Sequence, residues 1–264
     1  MLPSAPAMRP PVESAVREAG RILSGYFRDN ALQREFKSPR DLVSEADRHA
    51  ERFLLEALAK IDNAPFLSEE YNPRTALSSR PLWIVDPLDG TTNFIAGIPF
   101  YSVAVAHWNG RAVDLAVCLI PPADELYRAE AGRGAFMNDA PIRVSDTADP
   151  LHAVGAVGFA DITKNLPKDT LGVFNSVVRR TRALRRLGSA VADMLYVARG
   201  SFDLFWEYGL SPWDVAASSL VMTEAGGIVT DFDGGNDYIA GGSIIAANPR
   251  LYPFIRDEVR AHFR

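Results

Sequence analysis

Asp86 and Asp89 stand three residues apart in WIVDPLDGTTNF, residues 83–94, where an apolar run gives way to two carboxylates, a glycine and two hydroxyls. Pro87 between them cannot donate to a strand ladder, so a turn is expected there that aims both acids to one side. Like charges this close repel, and a proton or a cation between them removes the cost; a divalent ion is the usual remedy. The innocuous alternative is that Asp89 caps a helix beginning at Gly90 while Asp86 is a turn residue. If a helix does begin at Gly90-Thr91-Thr92, its unpaired N–H groups and its dipole make an anion site beside the cation site.

Other acids extend the pattern. Glu69 and Glu70 lie together in FLSEEY, Asp214 falls in the first turn of a helix in SPWDVAA, and Asp41 lies in SPRDLVSEAD, although acids in loops and first turns are commonly just solvated. The four histidines, at 49, 107, 152 and 262, have no ligand-like spacing, and the single cysteine, Cys118 in AVCLI, reads as a buried thiol. A donor set made of oxygen selects a hard cation, Mg²⁺ before Mn²⁺ or Ca²⁺. Cation and phosphate sites side by side imply phosphoryl transfer, and with no Walker-type loop or kinase motif the expected acceptor is water. The basic run 179–186 reads as a solvated face or dimer-edge ion pairs, with anionic substrate entering the cleft as the alternative. Trp206 and Trp213 flank these acids and read as core.

These residues need elements to position them. Val12, Val16, Ala19, Leu23 and Phe27 predict a helix over 11–29, behind a flexible tail at 1–10; Ala46, Ala50, Phe53, Leu54, Ala57, Leu58 and Ile61 predict a second from Ser44 to about Asp62. PLWIVD reads as a strand covered on both faces, and Asn109-Gly110 joins two apolar runs as a hairpin. Short strands with glycine turns follow to about residue 150. The second half alternates: AVGAVGF, a helix around 167–181, a helix in SAVADMLYVARG closed by Gly200, strand FDLFWEY, a helix from Pro212, strands GIVTDF and SIIAAN, and a last helix from Pro249. FKSPRD is expected to form a mobile loop over the metals, with Lys37 screening the phosphate. Mixed helices and strands without repeat or linker indicate stacked α/β layers in one domain over 1–264, or two halves meeting near 145–155 and sharing an interface.

Composition removes several classes of function. At 47% hydrophobic and 23% charged the chain is an ordinary globular one, and its net charge of -5 offers no general attraction for nucleic acid or an anionic membrane. One cysteine excludes disulfides within the chain. The opening residues lack a signal-like apolar region and no run is long enough to span a bilayer, so a cytoplasmic protein acting on a small molecule is expected.

The sequence resembles the inositol monophosphatase family of Mg²⁺-dependent, lithium-sensitive phosphatases over nearly all of the chain after about residue 11. The likeness is carried by DLVSEAD at 41–47, FLSEE at 66–70, the stretch from Trp83 to Ala106, GRGAFMNDAPIRVS at 132–145, the stretch from Arg185 to Ala217, and TEAGG at 223–227. The DPLDGTTNF block and the WDVAA block with its upstream Glu207 are the most specific parts. The resemblance implies a five-layered αβαβα sandwich and a homodimer. It implies that Glu69, Asp86 and the carbonyl of Leu88 hold one Mg²⁺, that Asp86, Asp89 and Asp214 hold a second, and that a third, weaker ion lies near Glu69. It implies that Thr91, hydrogen-bonded to Asp41, orients and deprotonates the attacking water, and that the backbone of Gly90 and Thr92 holds the phosphate. Asp89, the backbone around Ala190 and Glu207 are implied on the alcohol side.

The implied reaction is hydrolysis of a small phosphorylated polyol, myo-inositol monophosphate first, with histidinol phosphate or a broader range of sugar phosphates as the alternative. The TTNF form of the block and Glu207 resemble the inositol branch more than the phosphoadenosine branch. Family members often carry a histidine three residues before the final Asp; here the residue is Ser211. Some members bind transcription or translation machinery, so a scaffold that retains its metal site is the rival from another class, against which stands the full set Glu69, Asp86, Asp89, Thr91 and Asp214.

Overall fold

The computed structural model describes residues 5–28, 34–38, 41–164, 166 and 170–263. Helix α1 (Ala5–Tyr26), a hairpin of β1 (Arg34–Ser38) and β2 (Asp41–Ser44), helix α2 (Glu45–Ala59) and β3 (Phe66–Ser68) lead to β4 (Leu82–Asp89). Then come the short α3 (Thr91–Ile95), β5 (Ser102–Trp108), β6 (Val113–Ile120), β7 (Glu125–Glu130), β8 (Ala135–Met137) and β9 (Ala140–Pro141). The second half holds β10 (Val154–Val157), α4 (Ala160–Thr163), α5 (Leu171–Val178), β11 (Ala183–Arg185), α6 (Ala190–Ala198), β12 (Leu204–Tyr208), α7 (Pro212–Glu224), β13 (Ile228–Thr230), β14 (Ser243–Ala247) and α8 (Tyr252–His262).

Strands β3 to β9 form a seven-stranded sheet in sequence order; a five-stranded sheet runs β11-β10-β12-β14-β13. Successive side chains of a strand face opposite ways, so an all-apolar strand must be covered twice. In β4, Trp83 and Val85 enter a core with Val12, Val16 and Leu23 of α1 and Leu54 and Leu58 of α2. Leu82 and Ile84 enter another core with Val191 and Leu195 of α6 and Val215 and Val221 of α7. The smaller sheet repeats the device: Phe205, Ile244 and Ala246 face α6 and α7, while Leu204, Trp206, Ile245 and Ala247 face Val173 and Val177 of α5 and Ile255 and Val259 of α8. The order is therefore α1/α2, large sheet, α6/α7, small sheet, α5/α8, which is the expected five-layered αβαβα sandwich. The acids lie where β4 ends against the first turn of α7, between the two sheets.

Four expectations need correction. Residues 5–10 are not a tail but the start of α1, with Met8 only 1% exposed in the core; Pro10 and Pro11 fall on the exposed side, where burial of Met8 and Val12 offsets the lost backbone bonds. FKSPRD, expected as a loop, lies within the β1–β2 hairpin, where Phe36 pairs with Leu42 and Ser38 with Asp41; residues 39–40 and the side chain of Lys37, with its expected screening role, lie outside the described residues. The helix placed at 167–181 is the shorter α5, and residues 167–169 lie outside the described residues. The last helix starts at Tyr252, because Asn248 ties the turn before it by accepting N–H bonds from Arg250 and Leu251 through Oδ1.

Candidate active site

Pro87 does not end its strand. β4 continues to Asp89, and its pairing with β5 jumps from Asp86↔Ala104 to Asp89↔Ser102, so three steps on β4 oppose two on β5. Such a bulge re-aims side chains without breaking the sheet. Helix α7 begins beside it, with Pro212 in its first turn and the Asp214 carboxylate accepting the N–H of Ser211 at 2.7 Å. Ser211 is thus the helix N-cap. The carboxylates of Asp86, Asp89 and Asp214 bring oxygens within 4.8 Å of one another, the one cluster of potential metal ligands among the described residues.

Electrostatics make this cluster expensive without a cation. Asp86 is 1% exposed; one oxygen accepts the N–H of Leu88 at 3.0 Å and the other, Oδ2, has no partner. Burial, then the charges of Glu69, Asp89 and Asp214, hold the Asp86 carboxyl well above its ordinary range. Burial, then Asp214, pushes Asp89 up to about 7, against hydrogen bonds from Ser189, Val191 and Ser102. An unpartnered buried oxygen within an all-oxygen donor set fits a hard divalent cation.

Glu69 follows β3, whose Ser68↔Val85 register sets it beside Asp86. Its charge raises Asp86, but its carboxylate is not among the three gathered within 4.8 Å. The turn that carries it is held from α2: Glu51, fully buried, accepts the N–H groups of Glu70 and Tyr71, both at 2.8 Å. One turn earlier on α2, Asp47 accepts a hydrogen bond from the Thr91 hydroxyl at 3.1 Å. The expected pairing of Thr91 with Asp41 falls outside the described residues, because Asp41 lies in β2 and its side chain is not described; the carboxylate the structure sets against Thr91 is that of Asp47. The Thr91 hydroxyl also reaches the Leu88 carbonyl at 3.0 Å, leaving that oxygen a second lone pair.

Gly90 has φ 93°, and a Cβ there would approach the carbonyl oxygens of Phe100 and Gly188 to 3.2 and 3.3 Å, so only glycine makes this turn without strain. Helix α3 starts directly after it, with Thr92 exposed. Asn93 fixes the loops around it by donating to the carbonyls of Phe100 and Leu187 at 2.8 and 2.7 Å. Asp89 accepts from Ser189 at 2.5 Å, from the Val191 N–H at 2.8 Å and from Ser102 at 3.3 Å, which ties the acids to the start of α6 and to Ala190.

A cleft of about 200 Å³ leads away from Asp89 and Asp214, lined by Ala190, Glu207, Asp193, Arg186 and Lys164 among others. Burial is the main cause that raises Glu207, to about 8, with Asp214 and Asp89 adding and the Ala160 N–H and Arg186 opposing. Of the basic run 179–186, Arg186 reaches the cleft, and Arg180 pairs with Glu258. Trp206 is core; Cys118 is a buried thiol pushed up by burial and then by Asp89 and Asp86. The sequence reading missed Asp47, Glu51, Ser102, Ser189 and Asp193. Asp47 and Glu51 carried a signal, because acids four apart fall on the apolar face of an amphipathic helix, where a charge needs a partner.

Residues 8–263 match the model of the inositol monophosphatase family. An inositol-1-monophosphatase of Mesorhizobium japonicum is 42% identical over 89% of this chain and 89% of its own length. A protein of Pasteurella multocida named Nus factor SuhB is 35% identical over 93% of each chain. Among solved structures, the extragenic suppressor protein suhB of Bartonella henselae superposes with a TM-score of 0.86 at 38% identity, covering 94% of this chain and 96% of its own.

Proposed function

The chain belongs to the inositol monophosphatase family of phosphoric monoester hydrolases, and on that footing we propose that it releases phosphate from a small phosphorylated polyol, myo-inositol monophosphate first, with Mg²⁺. The observation that carries this reading is the buried convergence of Asp86, Asp89 and Asp214 from β4 and α7, with an Asp86 oxygen left unpartnered. Those three, with Glu69 and the Leu88 carbonyl, would hold two or three ions. Mg²⁺ bound there would lower the pKa of water and neutralise charge on the transferred phosphoryl group.

The chain's own groups divide the remaining work. Thr91, its proton directed to Asp47, has oxygen lone pairs to accept a proton from water as that water attacks phosphorus, while Asp47 takes the threonine proton. The P–O bond to the alcohol breaks opposite the incoming oxygen, its electron pair stays on the alcohol oxygen, and that oxygen takes a proton from solvent water in the cleft. The backbone N–H groups at Gly90 and Thr92 orient the phosphate, and glycine at 90 lets that backbone come close. Ser189, Ser102 and the Val191 N–H all donate to one oxygen of Asp89, and the other oxygen would be the one that holds an ion. Glu207 and the start of α6 receive the alcohol.

Phosphate release with Mg²⁺ from myo-inositol 1-phosphate, histidinol phosphate, fructose bisphosphate and nucleotide phosphates tests the proposal; the highest kcat/KM is expected for the inositol ester. A preference for histidinol phosphate or sugar phosphates would move the substrate while keeping the chemistry. A second reading, as a partner of transcription or translation machinery, draws on relatives named Nus factor SuhB at 35% identity over 93% of the chain. Retention of RNA polymerase on the immobilised protein would support it, and the two roles are compatible. Family membership also supports a cytoplasmic homodimer, which sedimentation and cell fractionation would test; no described helix is long and apolar enough to cross a membrane.

A further inference from the structure

The cleft that leads from the acidic trio carries a second pair of buried acids on its wall, Glu207 on β12 and Asp193 in α6. Glu207 is already engaged: Oε1 accepts the Ala160 N–H at 3.1 Å, and its carboxylate fits because Gly158 has no side chain, since a Cβ there would lie 1.9–2.1 Å from it. Asp193 differs. It is 1% exposed, and its Oδ1 has no hydrogen-bond partner. The cations beside it do not satisfy that oxygen: Lys164 donates instead to the Gly209 carbonyl at 2.6 Å, and Arg186 acts on Asp193 by charge alone.

Burial, then Glu207 and Asp89, raises the Asp193 carboxyl, so the group is shielded from water and lies within electrostatic reach of both acids. Buried polar atoms in native proteins almost always have a partner, and a carboxylate oxygen out of water accepts strongly. A carboxylate accepts and a protonated carboxyl can also donate, so a hydroxyl, which does both, completes Asp193 in either state.

We infer that Asp193 is a specificity-determining residue that accepts a hydroxyl of the substrate's alcohol portion beside the hydroxyl taken by Glu207, an assignment that rests on the phosphatase reading above. The ligand class is a phosphate monoester whose alcohol carries at least two further free hydroxyls, spaced to reach both acids together. A monohydric alcohol leaves Oδ1 unfilled. Asp193 also sits in the first turn of α6, where its charge suits the helix dipole; a role confined to that would affect all substrates alike.

Phosphate release with Mg²⁺ is measured for the full chain and for Asp193→Asn and Asp193→Ala on myo-inositol 1-phosphate and phenyl phosphate. The expected result is a kcat/KM ratio between the two esters that falls about tenfold in Asp193→Ala, through KM for the inositol ester, the scale of one charge-assisted hydrogen bond. Asp193→Asn, whose amide oxygen still accepts, falls between. In parallel, wild-type KM is measured for analogues of the inositol ester with single hydroxyls replaced by hydrogen. One analogue beyond the Glu207 contact is expected to lose about tenfold, and that loss vanishes in Asp193→Ala. Equal losses on both esters, or no deoxy analogue whose deficit depends on Asp193, overturns the assignment. If neither variant folds, the wild-type series decides: fewer than two sensitive hydroxyls overturns it. Absence of any hydrolysis by the wild type would instead refute the phosphatase reading itself, a distinct outcome.

Discussion

Replacing Asp86 with asparagine should stabilise the metal-free protein while removing a metal ligand. Asparagine keeps the acceptor for the Leu88 N–H and puts an amide donor where the unpartnered Oδ2 stands, in the cluster with Asp89 and Asp214. The scale follows from the neighbouring Asp89, raised from 3.8 to about 7. Three pH units at 1.36 kcal/mol each amount to about 4 kcal/mol of opposition to one ionised carboxyl, roughly halved because the acids of the cluster share the burden by taking up protons. A carboxyl whose pKa is raised on folding binds more protons in the folded state, so the wild type loses stability as pH rises from near 4 towards 7 and beyond. The advantage of Asp86→Asn is therefore absent near pH 4 and about 2 kcal/mol at pH 8, a rise in Tm of roughly 5 °C for a chain of this size. Thermal unfolding in EDTA at pH 4.5, 6 and 8 reads it directly. A Tm for Asp86→Asn that is lower than wild type at pH 8, or offset equally at every pH, would refute the reasoning that the acids repel one another without a cation.

Other outcomes follow from single contacts. Thr91→Ala and Asp47→Asn should each lower kcat at saturating Mg²⁺ by about 10²–10⁴ with Tm nearly kept, whereas Asp41→Asn should cost much less; phosphate release compares the three. Glu51→Gln removes an acceptor from the turn carrying Glu69, so the Mg²⁺ concentration for half-maximal activity should rise about tenfold, with about 1–3 kcal/mol lost in urea unfolding. Gly158→Ala drives a methyl into the Glu207 carboxylate and should raise KM for the inositol ester by at least tenfold without changing Mg²⁺ affinity measured by calorimetry.

The layering was legible because it follows from side-chain alternation: PLWIVD is apolar on both faces and is covered on both. The acids of the DPLDGTTNF and WDVAA blocks were legible because their types and spacing announce them, and the structure gathers Asp86, Asp89 and Asp214. What escaped depends on tertiary register. DLVSEAD offers two aspartates, and only the start of α2 after Ser44 decides that Asp47 faces Thr91. Pro87 announces a break, yet a one-residue bulge absorbs it within the strand. Pro10 and Pro11 hide a helix that burial of Met8 sustains. Asp193 is concealed in the apolar run of α6, and nothing in its local sequence tells that β12 brings Glu207 beside it.

Calorimetric titration of Mg²⁺ into chelator-treated protein at pH 7, repeated in two buffers of different ionisation enthalpy, tests the central claim most directly. Saturable binding with net proton release is predicted, because Asp89, pushed up to about 7, and Asp86, held well above its ordinary range, must ionise to ligate, and both binding and release should disappear in Asp214→Asn. Absence of saturable binding, or binding that survives Asp214→Asn and releases no protons, would contradict it.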